Sequence, residues 1–163
     1  MPGPPRVWRA EIDEAEIVAD LLVAFRDHLG AQRPSANAML AGVERLMEQT
    51  DTEFLLASPD EDSAPAGVAQ LRFRFSVWEA SPDCWLEDLY VRESARRLGL
   101  GAALVGEAFE RARRRGARRI ELDTAESNTG AIALYESLGF RVDSKTAGSR
   151  DLFLGRRLDG EAE

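Results

Sequence analysis

The stretch SARRLGLGAAL, Ser94–Leu104, places two glycines two residues apart, after a pair of arginines and ahead of an apolar pattern with helical spacing. Glycines at a helix start imply that a backbone must come close to something. A P-loop would need Gly-x-x-x-x-Gly-Lys-Ser/Thr, and this segment has no lysine. A dinucleotide fingerprint would need a third small residue where Leu104 stands, and a parallel βαβ context. What fits is Arg-x-x-Gly-x-Gly between a strand and a helix, carried by Arg96, Gly99 and Gly101. Without β-carbons the loop can curl so that several amide N–H groups converge at the positive end of the following helix. Such a nest suits an anion of the pyrophosphate type. The same glycines would also serve a plain tight turn.

Working outward, RVWRAEI (Arg6–Ile12) alternates as a strand, and Asp13 with Glu16 resembles a capping box stapled by Ile12. Ile17, Leu21, Leu22, Phe25 and Leu29 follow helical spacing up to Gly30, with His28 a surface residue at the helix end. Ser35 caps a second predicted helix reaching about Gln49. EFLLAS (Glu53–Ser58), VAQLRFRFSVW (Val68–Trp78) and CWLEDLYV (Cys84–Val91) read as strands of an antiparallel meander, because their connections are too short for parallel crossovers.

After the glycines, Leu100, Leu104, Val105, Ala108, Phe109 and Ala112 form one helical face. RRIELDT (Arg118–Thr124) reads as a strand, and Asn128 opens a short helix that Gly139 ends in a left-handed cap. FRVDS (Phe140–Ser144) and RDLFLGRRL (Arg150–Leu158) are expected to close the chain as a hairpin. The expectation is one α+β domain over residues 1–163, with its core at about 6–158. It has a mixed, mostly antiparallel sheet of six to seven strands flanked by four helices.

Composition bounds the function. The net charge of −8 disfavours a general nucleic-acid binder and favours cationic ligands. No run reaches the ~18 apolar residues of a membrane span, so no membrane partner is expected. The first residues, Met1–Arg6, lack a signal-peptide core, and a cytoplasmic location is expected. One cysteine, Cys84, excludes an internal disulfide, and one histidine leaves no Cys/His cluster for a metal. Arg111, Arg113, Arg114, Arg115, Arg118 and Arg119 crowd one region. They read as a solvated face or as counter-charge for an anionic ligand.

Two spaced motifs carry a resemblance: WLEDLYVRESARRLGLGAALV, followed by ELDTAESNTGAIALYESLGF. Leu89, Val91, Arg96, Gly99 and Gly101 in the first, and Asn128, Ala131, Tyr135, Gly139 and Phe140 in the second, stand in register with the GNAT superfamily of acetyl-CoA-dependent N-acetyltransferases, which the chain resembles over nearly its whole length. Glu93 stands where many members carry proline, a departure that touches the turn more than the chemistry.

The resemblance implies transfer of an acetyl group from acetyl-CoA to a primary amine through a tetrahedral intermediate, with no metal. It implies that the loop Arg96, Arg97, Leu98, Gly99, Leu100, Gly101 and Ala102 holds the pyrophosphate of coenzyme A. The pantetheine arm would lie along Leu89, Tyr90 and Val91, where the family has a strand bulge that opens a slot. An N–H near Tyr90 or Val91 would face the thioester oxygen as an oxyanion donor. Tyr135 would protonate the leaving thiolate, while Asn128 would cap its helix and, near Ala131, hydrogen-bond the cofactor arm.

Glu87 and Asp88 are adjacent on a strand, so only one faces a given side unless a bulge intervenes. LEDLYV is similar to the matching strand of polyamine and aminoglycoside acetyltransferases. That likeness makes Glu87 the expected base and Asp88 a substrate contact. By the resemblance, the first two helices and the Val68–Asp83 hairpin, with Phe73, Phe75, Trp78 and Trp85 alongside Glu79 and Asp83, are expected to wall the site of a small cationic amine. Phe73 and Phe75 read equally well as core or as the surface of a homodimer. Acetylation of a protein N-terminus or lysine, and a non-catalytic CoA-binding module, are the alternative functions.

Overall fold

The computed structural model describes residues 3–142 and 147–160. These divide into two compact units, 1–125 and 126–163. In the first unit five strands run in the order β1 (Arg6–Arg9), β2 (Thr52–Ser58), β3 (Gly67–Ser76), β4 (Ser81–Val91) and β5 (Ile120–Glu121). The first four pair antiparallel and β5 pairs parallel to β4. The meander and the mixed sheet agree with the sequence. The strand count does not: the described residues hold five strands rather than six or seven.

The missing strands lie at the C-terminal end. Arg150–Leu158 carries no strand, and its apolar residues Leu152, Phe153, Leu154 and Leu158 are exposed. Alternating apolar residues make a strand only where a face is covered and an edge accepts their hydrogen bonds. Phe140–Val142 is likewise without strand structure, and Asp143 and Ser144 of the expected FRVDS strand fall outside the described residues.

Side-chain parity divides the sheet into two faces. Phe54, Leu56, Val68 and Tyr90 pack with Val18, Leu21, Leu22 and Val43 of α1 (Ala15–His28) and α2 (Ala36–Met47). The opposite face, with Leu55, Ala57, Gly67 and Ala69, meets α3 (Leu100–Arg114), which buries Leu100, Leu104, Val105, Ala108 and Ala112. Gly67 is where sheet and helix come closest: a β-carbon there would lie 3.0 Å from Leu104 Cδ1.

The first helix begins differently from the sequence expectation. The capping box is formed by Glu11 and Glu14, not Asp13 and Glu16, and Ile12 is exposed instead of stapling the helix. Glu14 accepts from the Glu11 N–H at 3.1 Å and from Trp8 Nε1 at 2.9 Å, which ties β1 to the helix entry. Ser35 caps α2 as expected, accepting from the Ala38 N–H at 3.2 Å.

Buried Glu53 (3% exposed) locks α3 to the sheet. Arg111 grips it with Nε at 2.7 Å and a second nitrogen at 2.8 Å, and Arg115 lies 3.4 Å away while covering the Phe73 ring. Arg113 pairs with Glu110, and Arg119 with Glu121. Four of the six crowded arginines therefore have partners within the chain, which removes most of the expected counter-charge for a ligand.

The second unit holds α4 (Thr129–Ser137). Asn128 occupies its N-cap position with the main-chain carbonyl accepting from Ile132 N–H, but its side chain makes no cap hydrogen bond, contrary to expectation. Gly139 ends the segment at φ +93°, as a left-handed cap requires.

Candidate functional site

The decisive local feature is a bulge in β4. Asp88 pairs with Gln70 and Leu86 with Leu71, so Glu87 is one residue too many for its neighbour strand. Residues directly opposite each other share a face. Before the bulge, Cys84 and Leu86 stand opposite Phe73 and Leu71 on the α3 side. After it, Asp88 and Tyr90 stand opposite Gln70 and Val68 on the α1–α2 side. The extra residue re-aims Asp88 under α1 and α2 and leaves Glu87 exposed.

The backbone changes sides at the same point. Arg92 N–H donates to Ala66 C=O at 2.8 Å, so Tyr90 and Asp88 are the residues whose main-chain groups face β3. Leu89 and Val91 turn theirs to the opposite edge. Along that edge β5 pairs only with Cys84 and Trp85 and has ended before the bulge. Among the described residues no strand pairs with Leu89 or Val91 on that side, which leaves a stretch of open strand edge. Of the two expected N–H donors, Tyr90 faces β3 and Val91, like Leu89, faces the other edge.

Beyond Val91 the chain makes a short 3-10 turn, Glu93–Ala95, and Arg96 Nε returns to donate to Val91 C=O at 3.1 Å. Arg97 then takes φ +66° and Gly99 φ +83°, two left-handed residues that fold the loop against the start of α3. Gly99 is the N-cap and brings no side-chain oxygen, so the helix has no side-chain cap. The first-turn N–H groups of Leu100, Gly101 and Ala102 are left pointing out of a 15-residue helix. Gly101 lies inside that first turn and not in the loop. Arg96, Arg97 and Leu98 are exposed around it. This end of α3 fits an anion, and the open edge beside it fits an extended chain with amide groups.

Asp88 opens into a cavity of about 320 Å³ between α1, α2 and the sheet. Its walls include Leu22, Phe25, Met39, Val43 and Phe54, with Gln70 beside Asp88. Burial, with a smaller contribution from the Glu87 charge, pushes the Asp88 carboxyl up to about 6. A carboxyl with that affinity for protons can accept one near neutrality, which an ordinary exposed aspartate does poorly. Phe25 stacks on Tyr90 with centroids 5.2 Å apart, and His28 leans on the same ring at 6.1 Å.

The first two helices line this cavity as expected, whereas the hairpin residues expected to join them lie elsewhere. Phe73 is buried under Arg115 on the α3 side, while Phe75 and Trp78 are exposed at the β3–β4 hairpin. Trp85, Glu79 and Asp83 do not line the cavity. The apolar residues of α1 and α2 that do line it are read from sequence as ordinary core positions. The bulge, expected in this strand from the family resemblance and found at Glu87, is what turns Asp88 toward them. In the second unit, Tyr135 is half-buried, packs edge-on against Phe140 at 5.6 Å, and has its phenol pushed up by burial. Ala131 lies one turn before it on α4.

Among the described residues no His, Cys, Asp or Glu cluster could hold a metal, and no helix is long and apolar enough to cross a membrane. Cys84 is buried and its thiol is pushed up to about 12, which makes it unreactive.

Comparison with known proteins gives a consistent outcome. A family model described as acetyltransferase (GNAT) family matches residues 20–140. The chain is 34% identical over 98 residues to a thialysine N-epsilon-acetyltransferase of Caenorhabditis elegans, a match covering 60% of this chain and 58% of that one. It is 32% identical over 131 residues to an aminoglycoside N(6')-acetyltransferase type 1 of Serratia marcescens, covering 74% and 90%. Among solved structures, that of a "probable acetyltransferase" superposes with a TM-score of 0.82 at 28% identity, covering 93% of this chain and 99% of that one.

Proposed function

Since the chain belongs to the GNAT family of acetyltransferases, which use acetyl-CoA, we propose that it acetylates the primary amine of a small molecule, with Asp88 as the proton acceptor. The observation that carries this reading is the bulge at Glu87. The one irregularity turns Asp88 into the apolar cavity and frees the edge of β4 next to it.

Acetyl-CoA supplies the activated acetyl group. The N–H groups of Leu100, Gly101 and Ala102, at the positive end of α3, hold its pyrophosphate, with Arg96 and Arg97 nearby. Leu89 and Val91 offer main-chain groups to the pantetheine arm. Val91 N–H is the candidate oxyanion donor, and a preorganised donor of this kind is worth roughly 3 kcal/mol in the transition state.

Asp88 takes a proton from the ammonium of the acceptor, leaving a neutral amine to attack. Tyr135, in the second unit, is assigned by the family resemblance to protonating the departing sulfur. The second N–H proton, released as the intermediate collapses, restores the phenol through solvent. The phenol is held protonated by burial, so it is an acid that survives to alkaline pH. Asn128 and Ala131, on the same helix, are assigned to the cofactor arm. Glu87, exposed on the bulge, attracts the incoming cation and raises Asp88. This reverses the order of the two carboxylates expected from sequence.

A small-molecule acceptor is favoured over a protein chain by the cavity itself. Its 320 Å³ lies within the range of about 300–1,000 Å³ typical of small-molecule sites. The test is release of CoA thiol from acetyl-CoA, with and without a panel of small primary amines. Amine-dependent release that Asp88→Asn reduces at least a hundredfold, and Glu87→Gln less than tenfold, is the expected result. Equal losses, or loss only in Glu87→Gln, would remove Asp88 from the role of base.

A further inference from the structure

The lining of the Asp88 cavity specifies more than an amine. Its charged groups are one carboxylate, Asp88, and two guanidinium groups, Arg26 and Arg33. Arg26 is fixed at the rim: it donates to Asp27 Oδ1 from Nε at 3.0 Å and to Pro34 C=O at 2.7 Å, clamping the end of α1 to the loop before α2. Arg33 lies exposed in that loop. A polyamine or an aminoglycoside brings several ammonium groups, each of which needs its own acceptor when desolvated. Here the first finds Asp88, and the next would meet Arg33 and an Arg26 already paired with Asp27 at 2.8 Å.

We infer that the acceptor is a monoamine whose single amino group is carried on an apolar aliphatic or aromatic body. The inference rests on the reading that this cavity takes the acceptor. The amine goes to Asp88 and Gln70, and the body lies against Leu22, Phe25, Met39 and Val43. Burying that body stabilises the complex by about 25 cal/mol for each Å² of apolar surface removed from water. Arg33 acts at the rim by repulsion, an element set against the wrong acceptor rather than for the right one, while the charge of Arg26 is paired with Asp27.

Gly42 supplies a probe of the cavity. It sits on the lining face of α2, and a β-carbon built there meets no atom within 4 Å. Residue 42 thus accepts a β-carbon, Gly42→Leu extends an isobutyl group from it toward the space, and a poor helix former is replaced by a good one. The full chain is assayed for CoA release with 2-phenylethylamine, spermidine and kanamycin. Binding of 2-phenylethylamine to the CoA-saturated protein is followed by calorimetry.

The expected result is a kcat/KM for 2-phenylethylamine at least tenfold above those for the two polycations. Gly42→Leu is expected to weaken 2-phenylethylamine binding at least tenfold, with thermal unfolding at or above the wild-type temperature. Arg33→Glu is expected to raise kcat/KM for spermidine at least fivefold. Spermidine or kanamycin accepted as well as 2-phenylethylamine would overturn the inference and leave amine acetylation standing. Binding of 2-phenylethylamine that Gly42→Leu does not weaken would also overturn it. Failure of every amine to release CoA would instead strike at the proposed function, and the calorimetric result would then decide the cavity's preference alone.

Discussion

Asp88 stands opposite Gln70 across the β3–β4 ladder, whereas Glu87, its neighbour in sequence, stands opposite no residue. That single extra residue decides which carboxylate meets the α1–α2 cavity. Without it Asp88 would be one position out of phase, facing α3, and the open edge of β4 would close up in a regular ladder.

The pH dependence follows from this placement. Asp88 must be ionised to accept a proton, so kcat/KM is expected to rise with pH and level off above about 6. In Asp88→Asn that rise disappears along with most of the rate. A profile in the wild type that is flat between pH 5 and 8, with the amine in excess, would separate Asp88 from catalysis.

The same residue is a cost to folding. Its carboxyl binds protons more tightly in the folded protein than in the unfolded chain, because burial raises it from 3.8 to about 6. Stability therefore falls as pH rises between about 4 and 6, where the folded state holds the extra proton. Asp88→Asn is expected to gain stability at pH 7, of order 1–3 kcal/mol. Urea unfolding at pH 7 and at pH 4 checks the sign, since the gain should be absent at the lower pH.

Glu53 behaves in the opposite sense. Burial pushes its carboxyl up, but the Arg111 hydrogen bond and the charges of Arg111, Arg9 and Arg115 outweigh it and hold it below the ordinary range. Its contribution is present above the unfolded value and is lost as pH falls through the carboxylate range. Removing one partner of such a buried pair costs about 3–5 kcal/mol. Arg111→Met is thus expected to lower the unfolding free energy by about that amount at pH 7, and by less at pH 3. Equal losses at the two pH values would show that the ion pair is not what is being measured.

Gly99 tests the loop. At φ +83° a β-branched residue is strained, although a β-carbon would only touch Pro5 Cγ at an ordinary 3.8 Å. The penalty is torsional, about 1–2 kcal/mol. Gly99→Val is expected to weaken CoA binding at least fivefold in calorimetry and to leave the KM of the amine within twofold. An unchanged affinity for CoA would place the pyrophosphate elsewhere.

Tyr135→Phe removes the proposed acid. It is expected to lower kcat about 10- to 100-fold with little change in the KM for acetyl-CoA. A full rate in the variant would assign protonation of the thiolate to water.

The sequence by itself determined the order of elements as far as Gly139, the antiparallel meander and the glycine loop, because each rests on local chemistry. Alternation, helical spacing and φ > 0 at Gly99 and Gly139 are properties that a few adjacent residues impose. It also carried the two motifs that join the chain to its family. The position of the bulge at Glu87, and with it the direction of Asp88 rather than Glu87, was decided only in the tertiary structure. A register shift is a relation between two strands, and neither strand's residues record it alone. For the same reason Arg111 looked free for a ligand until Glu53, 58 positions away in sequence, came to lie beside it. The apolar run at Arg150–Leu158, lacking a covered face in the described residues, shows the converse: a strand pattern without a partner stays a pattern.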